Sequence, residues 1–198
     1  MDIFLHLASF VSVITVKNKI KKYGYVITLS TVMGLWFFYI LWASRIGRQT
    51  VLMASIPEWM TYITAGSIAG LILAARVTYY RPTGKTPIYI LESFGGGFTL
   101  GFVCSLHIYD VFVYLSPGEI IQYKSEYEVV FPGPAIGKSS RCEAGLWIKD
   151  LHTKRWIQLC TNKSALYNQR KQGMDAVWVT AHTNKIGSYI IEYQFIFK

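Results

Sequence analysis

Apolar and polar positions follow two different patterns along the chain, and the change falls near residue 115. Before it, apolar residues form long runs. Gly24 to Ala43 holds no charge, Ile56 to Ala75 holds one (Glu58), and Phe94 to Leu115 holds His107 and Asp110. A helix needs about 20 mainly apolar residues to cross a bilayer, so the pattern predicts three transmembrane helices, at 24–43, 56–75 and 94–115. Tyr23, Tyr25 and Trp42 flank the first, and Trp59, Tyr62, Tyr79 and Tyr80 the second, as in an interfacial aromatic belt. Residues 3–16 are apolar but too few for a comfortable span. His6, Ser9, Ser12 and Thr15 recur every third position, which fits a helix lying on the bilayer. With the basic stretch after it, this gives an N-terminal segment over 1–23. Asp2 and the lack of a basic start argue against a signal peptide.

After Ser116-Pro117-Gly118 the period becomes two. Ile121, Tyr123, Ser125, Tyr127, Val129 and Phe131 alternate with Gln122, Lys124, Glu126 and Glu128, the signature of a half-buried strand. Ala144–Lys149 and Arg155–Cys160 read as one hairpin, and Ala176–Thr183 and Tyr189–Phe197 as a second. Residues 161–175 read as a loop or short helix. The fold class is therefore an α+β membrane protein: three helices over 24–115, then an antiparallel β domain of about five strands over 116–198, as a sandwich or partial barrel.

Composition sharpens this picture. Of 198 residues, 52% are hydrophobic, 16% aromatic and only 16% charged, against about 25% charged in a soluble domain. Disorder is excluded. The formal net charge of +9 invites a nucleic-acid reading, but much of the excess flanks the membrane, where it orients the chain and meets anionic lipid; no nucleic-acid module signature accompanies it. Lys17, Lys19, Lys21, Lys22, Arg76, Arg81 and Lys85 fall on one side of the predicted spans, and only Arg45 and Arg48 on the other. Positive-inside bias predicts a multi-pass protein of the inner (plasma) membrane with its C-terminal domain extracytoplasmic.

Cys104 lies within the third span and reads as a packing residue. If the first hairpin turns through residues 150–152, Lys149 faces Thr153, and by the same register Cys142 faces Cys160. A disulfide is then within reach. It would close a loop of about 19 residues and contribute roughly 3 kcal/mol, in keeping with an oxidising compartment. Small residues recur at four-residue spacing: Ser30 and Gly34 in the first helix, Gly66, Gly70 and Ala74 in the second, Gly97, Gly101 and Ser105 in the third. Such ridges let helices pack closely in lipid, within one bundle or against another chain. His107 and Asp110 share a helical face, a possible intramembrane polar site.

Other motifs carry less. Gly133–Ser139 imitates a phosphate loop but has three residues between its glycines where four are needed, so no nucleotide is expected. Gly84-Lys85-Thr86 lacks the first glycine, and Asn162-Lys163-Ser164 has only the form of a glycosylation sequon. No nucleophile elbow, zinc motif or paired carboxylates appear, so neither catalysis nor a metal or cofactor is expected. His152 reads as a solvated turn residue and His182 as a strand-end residue. The expected function is a membrane-anchored, disulfide-stapled β domain that binds a partner at the outer face of the membrane, in an accessory, exclusion or immunity role. The partners are membrane lipid and either another protein or a second copy. The alternative is a channel or transporter subunit with a polar path at His107 and Asp110.

Overall fold

The computed structural model describes residues 2–80, 87–136 and 140–197, with side chains from Tyr23 onward except that of Tyr25. The chain forms two compact units, residues 1–42 and 43–198. Helix α1 runs unbroken from Asp2 to Gly47, so the separate interfacial segment and first span expected from sequence are one helix. The lysine-rich stretch between them changes polarity without stopping the backbone, because lysine is a good helix former and no proline intervenes. The expected surface seat of residues 3–16 concerns side chains outside the described ones. Within α1, Val26–Gly47 is long and apolar enough to cross a membrane.

The second unit holds two more such stretches. Helix α2 spans Glu58–Tyr79. The third stretch, Ile88–Leu115, comprises α3 (Ile88–Ser105) and α4 (Ile108–Leu115), where the sequence predicted one helix from Phe94. Leu106 is extended and His107 sits in the left-handed region at φ 62°, a conformation in which histidine is enriched among non-glycine residues. α2 and α3 pack as a hairpin at glycine contacts. A methyl group on Gly66 or Gly70 would strike the Phe98 and Phe94 carbonyls and rings, and one on Gly97 or Gly101 would strike the backbone of Ala69 and Ala65. Leu71, Ile72 and Leu91 are each more than 60% exposed, an apolar surface suited to lipid. Arg81, Lys85 and the Gly84-Lys85-Thr86 motif lie outside the described residues.

The β domain contains β2 (Glu119–Ser125), β3 (Tyr127–Val130), β4 (Ala135–Ile136), β5 (Ser140–Arg141), β6 (Ala144–Lys149), β7 (Trp156–Thr161), α5 (Lys163–Gln169), β8 (Ala176–Thr183) and β9 (Gly187–Ile196). A further strand, β1 (Thr50–Leu52), comes from the link between α1 and α2 and was not predicted. Its three residues carry no readable period. The sheets are antiparallel, in the orders β1-β9-β8-β2, β3-β6-β7 and β4-β5. The single strand expected over 121–131 breaks at Glu126, so its first half joins one sheet and its second half the other. Counting β2–β3 as one bent strand, that strand pairs with the second and fourth of five, and α5 links the third to the fourth. This is the connectivity of a partly open Greek-key barrel. Its open seam lies between β7 and β9. The core is Ala144, Leu146, Ile148, Val177, Val179 and Ala181, all fully buried, with Leu159, Leu166, Ile190 and Phe195. Tyr114 of α4 packs edge-on against Tyr189 of β9, with centroids 4.9 Å apart, which ties the barrel to the helices.

Candidate functional site

One end of the barrel is organised by Asp150, whose side chain is fully buried. Its Oδ1 accepts from the Tyr123 hydroxyl at 2.5 Å, and its Oδ2 accepts from the Thr153 N–H (2.7 Å), the Thr153 hydroxyl (2.6 Å) and the Ser188 hydroxyl (2.9 Å). One carboxylate thereby joins β2, the β6–β7 turn and β9. The turn extends from 150 to 155, since Lys149 pairs with Trp156, in place of the expected three residues. His152 is half-buried in it and bonds the Asn184 carbonyl through Nε2 at 2.9 Å; it is not the solvated residue expected. Nδ1 of His182 on β8 is buried without a hydrogen-bond partner among the described residues.

Beside this end, the barrel seam forms a groove. β1 covers only the start of β9: Thr50 faces Tyr189, Leu52 faces Gly187, and the Ile190 N–H donates to the Gln49 carbonyl at 2.8 Å. Beyond that, Glu192–Ile196 is paired on one side only, with β8, and β7 is paired only with β6. A cavity of about 620 Å³ lies between these two edges, walled by Leu159, Cys160, Ile190, Ile191 and Tyr193 and flanked by Arg45 and Arg48. A register shift between Thr180 and Ala181 leaves Ile191 unpaired. This bulge reverses the parity of β9. Ile190 is 2% exposed and Ile191 47% exposed, whereas strict alternation would place Ile191 on the same face as Tyr193 and Phe195.

The predicted polar pair lies where the third apolar stretch breaks. The Nδ1–H of His107 donates to Oδ2 of Asp110 at 2.8 Å, and a Cβ on Gly47 would fall 2.7 Å from the His107 ring, so glycine gives that ring its room. Thr61 and Tyr109 share a hydrogen bond of 2.7 Å nearby. The pair lines a cavity of about 370 Å³ with Glu58, Tyr62, Arg155 and Trp156, and Nη1 of Arg155 donates to the Leu52 carbonyl at 2.9 Å.

Cys142 and Cys160 form a disulfide with Cα atoms 5.6 Å apart. The pairing holds but the register argument for it does not. Cys160 faces Gly145. Cys142 lies before β6, where its N–H donates to the Pro134 carbonyl and its carbonyl accepts from the Gly133 N–H. The bridge therefore joins the link between β5 and β6 to β7. Of the small residues, Gly66, Gly70, Gly97 and Gly101 meet in the α2–α3 contact. Ala74 is half-buried on α2 and Ser105 is buried at the end of α3. Ser30 and Gly34 are exposed on α1, in the other unit. Asn162 caps α5, its Oδ1 accepting from the Ala165 N–H at 2.7 Å. Residues 137–139 of the Gly133–Ser139 stretch lie outside the described residues; those before them lead into and form β4. Sequence reasoning missed Asp150 and the β7 side of the seam, though the aromatic last strand reads as an edge strand open to docking. The Asp-x-x-Thr spacing of 150–153, typical of a side-chain-closed turn, was the available signal for the first. No known protein family, curated protein or solved structure matches the chain.

Proposed function

We propose that this protein is a non-enzymatic, multi-pass protein of the inner membrane whose stapled barrel stands on the extracytoplasmic side and binds a protein partner through its open seam. The observation that carries the reading is the pair of unpaired edges, β7 and the end of β9, facing one groove. An exposed edge offers backbone N–H and C=O groups to an extended segment of another chain. Ile191, Leu159 and Tyr193 give that segment apolar side-chain contacts, and Arg45 and Arg48 favour an acidic residue at its membrane-side end.

Less supports the alternative of a conducting path at His107 and Asp110. α3 has 18 residues before its break, about 27 Å at 1.5 Å per residue, close to a full hydrocarbon core. That length leaves the pair at the interface, where a mutual hydrogen bond suffices to hold it.

The test uses the tagged full chain recovered from native membranes. Ile191→Arg fills the seam with a long cation, while Trp178→Arg changes an exposed residue of β8 away from the groove. The first is expected to lose the co-purifying partner with an unchanged melting temperature, and the second to keep it. Equal recovery with both would count against seam binding.

A further inference from the structure

At the barrel end opposite Asp150, α5 and the loops around it form a second cavity, of about 640 Å³, lined by Val129, Phe131, Lys163, Tyr167, Arg170 and Lys171, among others. Two of its cations are held over aromatic rings. The Lys163 ammonium lies 5.6 Å from the centre of the Phe131 ring, and the Arg170 guanidinium 5.4 Å from that of Tyr127. Nε of Arg170 also donates to the Tyr127 hydroxyl at 2.7 Å, and that hydroxyl donates to the Met174 carbonyl. Arg170 is thus fixed at its base, with its terminal nitrogens unengaged among the described residues. Among the described residues no carboxylate lines the cavity; that of Glu143 accepts the backbone N–H of Lys163. Tyr167 is 88% exposed and Phe131 58% exposed, so flat apolar surfaces sit beside the cations.

The disulfide braces both walls. Its Cys142 side holds the arm that follows Phe131, through the Gly133 and Pro134 backbone bonds, and its Cys160 side leads directly into α5. The opposite end of the barrel is the one that meets the helices, since the Asn184 amide donates to the Val113 carbonyl of α4 at 3.1 Å. The eight residues of β8 separate the ends by roughly 26 Å, or about 20 Å at the usual tilt of barrel strands. The pocket therefore lies at the far end of β8 from that contact. A braced pocket lined by three cations and exposed rings, with no carboxylate among its described lining residues, suits an anionic polymer with flat faces. Two polymer classes have that chemistry. The disulfide favours an oxidising compartment, and in the orientation proposed above the anionic polymers there are glycans.

The geometry points to a binding site for an acidic polysaccharide, with Lys163, Arg170 and Lys171 meeting its carboxylates or phosphates and Tyr167 stacking on a sugar ring. The site is separate from the seam. The probes are polygalacturonate, neutral dextran and an oligothymidylate, each titrated against the full chain in detergent micelles. Polygalacturonate is expected to bind, more weakly as salt rises, and dextran not to bind. Arg170→Gln and Lys171→Gln are each expected to weaken polygalacturonate by about three- to tenfold, as lost charge-assisted contacts do, and Tyr167→Ser to weaken it by a similar factor. Ile191→Arg should leave it unchanged, which separates this site from the seam. Absence of polygalacturonate binding, unchanged affinity in the three pocket variants, or tighter binding of oligothymidylate than of polygalacturonate would overturn the proposal.

Discussion

At the scale of single residues, Asp150 is the most constrained side chain of the barrel end, because four donors depend on one buried carboxylate. Asp150→Ala would leave the Tyr123, Ser188 and Thr153 groups unsatisfied. The expected loss is about 3 kcal/mol or more, read as a lower melting temperature. Asp150→Asn should cost less, since its oxygen can serve the three donors now on Oδ2 while its amide donates to the Tyr123 oxygen. Burial, and then the hydrogen bond to Asp150, hold the Tyr123 hydroxyl well above its ordinary value of 10.0. The unfolded chain therefore ionises first as pH rises. The stability this contributes is whole below about pH 10 and is lost as pH climbs above it towards the folded value. Burial and the neighbouring Tyr114 raise Tyr189 in the same sense. Tyr123→Phe is expected to cost about 1.5–3 kcal/mol at neutral pH and to flatten the alkaline decline. Melts of both proteins from pH 8 to about pH 11 check this; equal alkaline slopes would remove Tyr123 as the cause.

At the scale of elements, the glycine contacts of α2 and α3 make a sharper prediction than spacing could. Gly70→Val and Gly97→Val should each force the helices apart and destabilise the hairpin by about 1–3 kcal/mol, whereas Gly95→Ala and Gly96→Ala, whose Cβ would meet open space, should be tolerated. Comparable melting temperatures across all four would argue against tight packing. The small-residue spacing was legible because four residues bring a helix back to the same face. Strand order was not legible, because it depends on long-range pairing. The disulfide shows the boundary well. Two cysteines near one hairpin sufficed to pair them, but the turn recruits six residues around Asp150, so Lys149 faces Trp156 and the inferred facing of Cys142 and Cys160 is lost. The bulge at Ile191 is a similar case: one extra residue flips which side chains face the core, and no local pattern announces it. His107 ended a helix that hydropathy alone carried through. Since Cys142 and Cys160 are 18 residues apart, Cys142→Ser should cost roughly 3 kcal/mol and loosen the arm beside Phe131. A wild-type chain that melts at the same temperature with and without reductant would deny the bridge that role.

At the scale of the whole molecule, orientation and oxidation must agree. The α2–α3 hairpin carries Arg76 near its far end, while the barrel follows Leu115 and pairs with the strand after Arg45 and Arg48. The proposed three-span topology puts the lysines before residue 23 on the same side of the membrane as Arg76. The more basic side is normally the cytoplasm, so the orientation proposed above puts the barrel outside, in keeping with a disulfide. Alkaline phosphatase fused after Lys198 is therefore expected to be active in a bacterial host, and a fusion after Lys85 inactive. In the same cells, Cys142 and Cys160 should resist a thiol reagent in unfolded, unreduced protein and react after reduction. The two readouts constrain each other. An active fusion with free thiols would keep the topology and remove the staple. An inactive fusion with free thiols would reverse the orientation, and with it the compartment on which the acidic-polysaccharide site depends. The proposals stand together only if the barrel is both outside and oxidised.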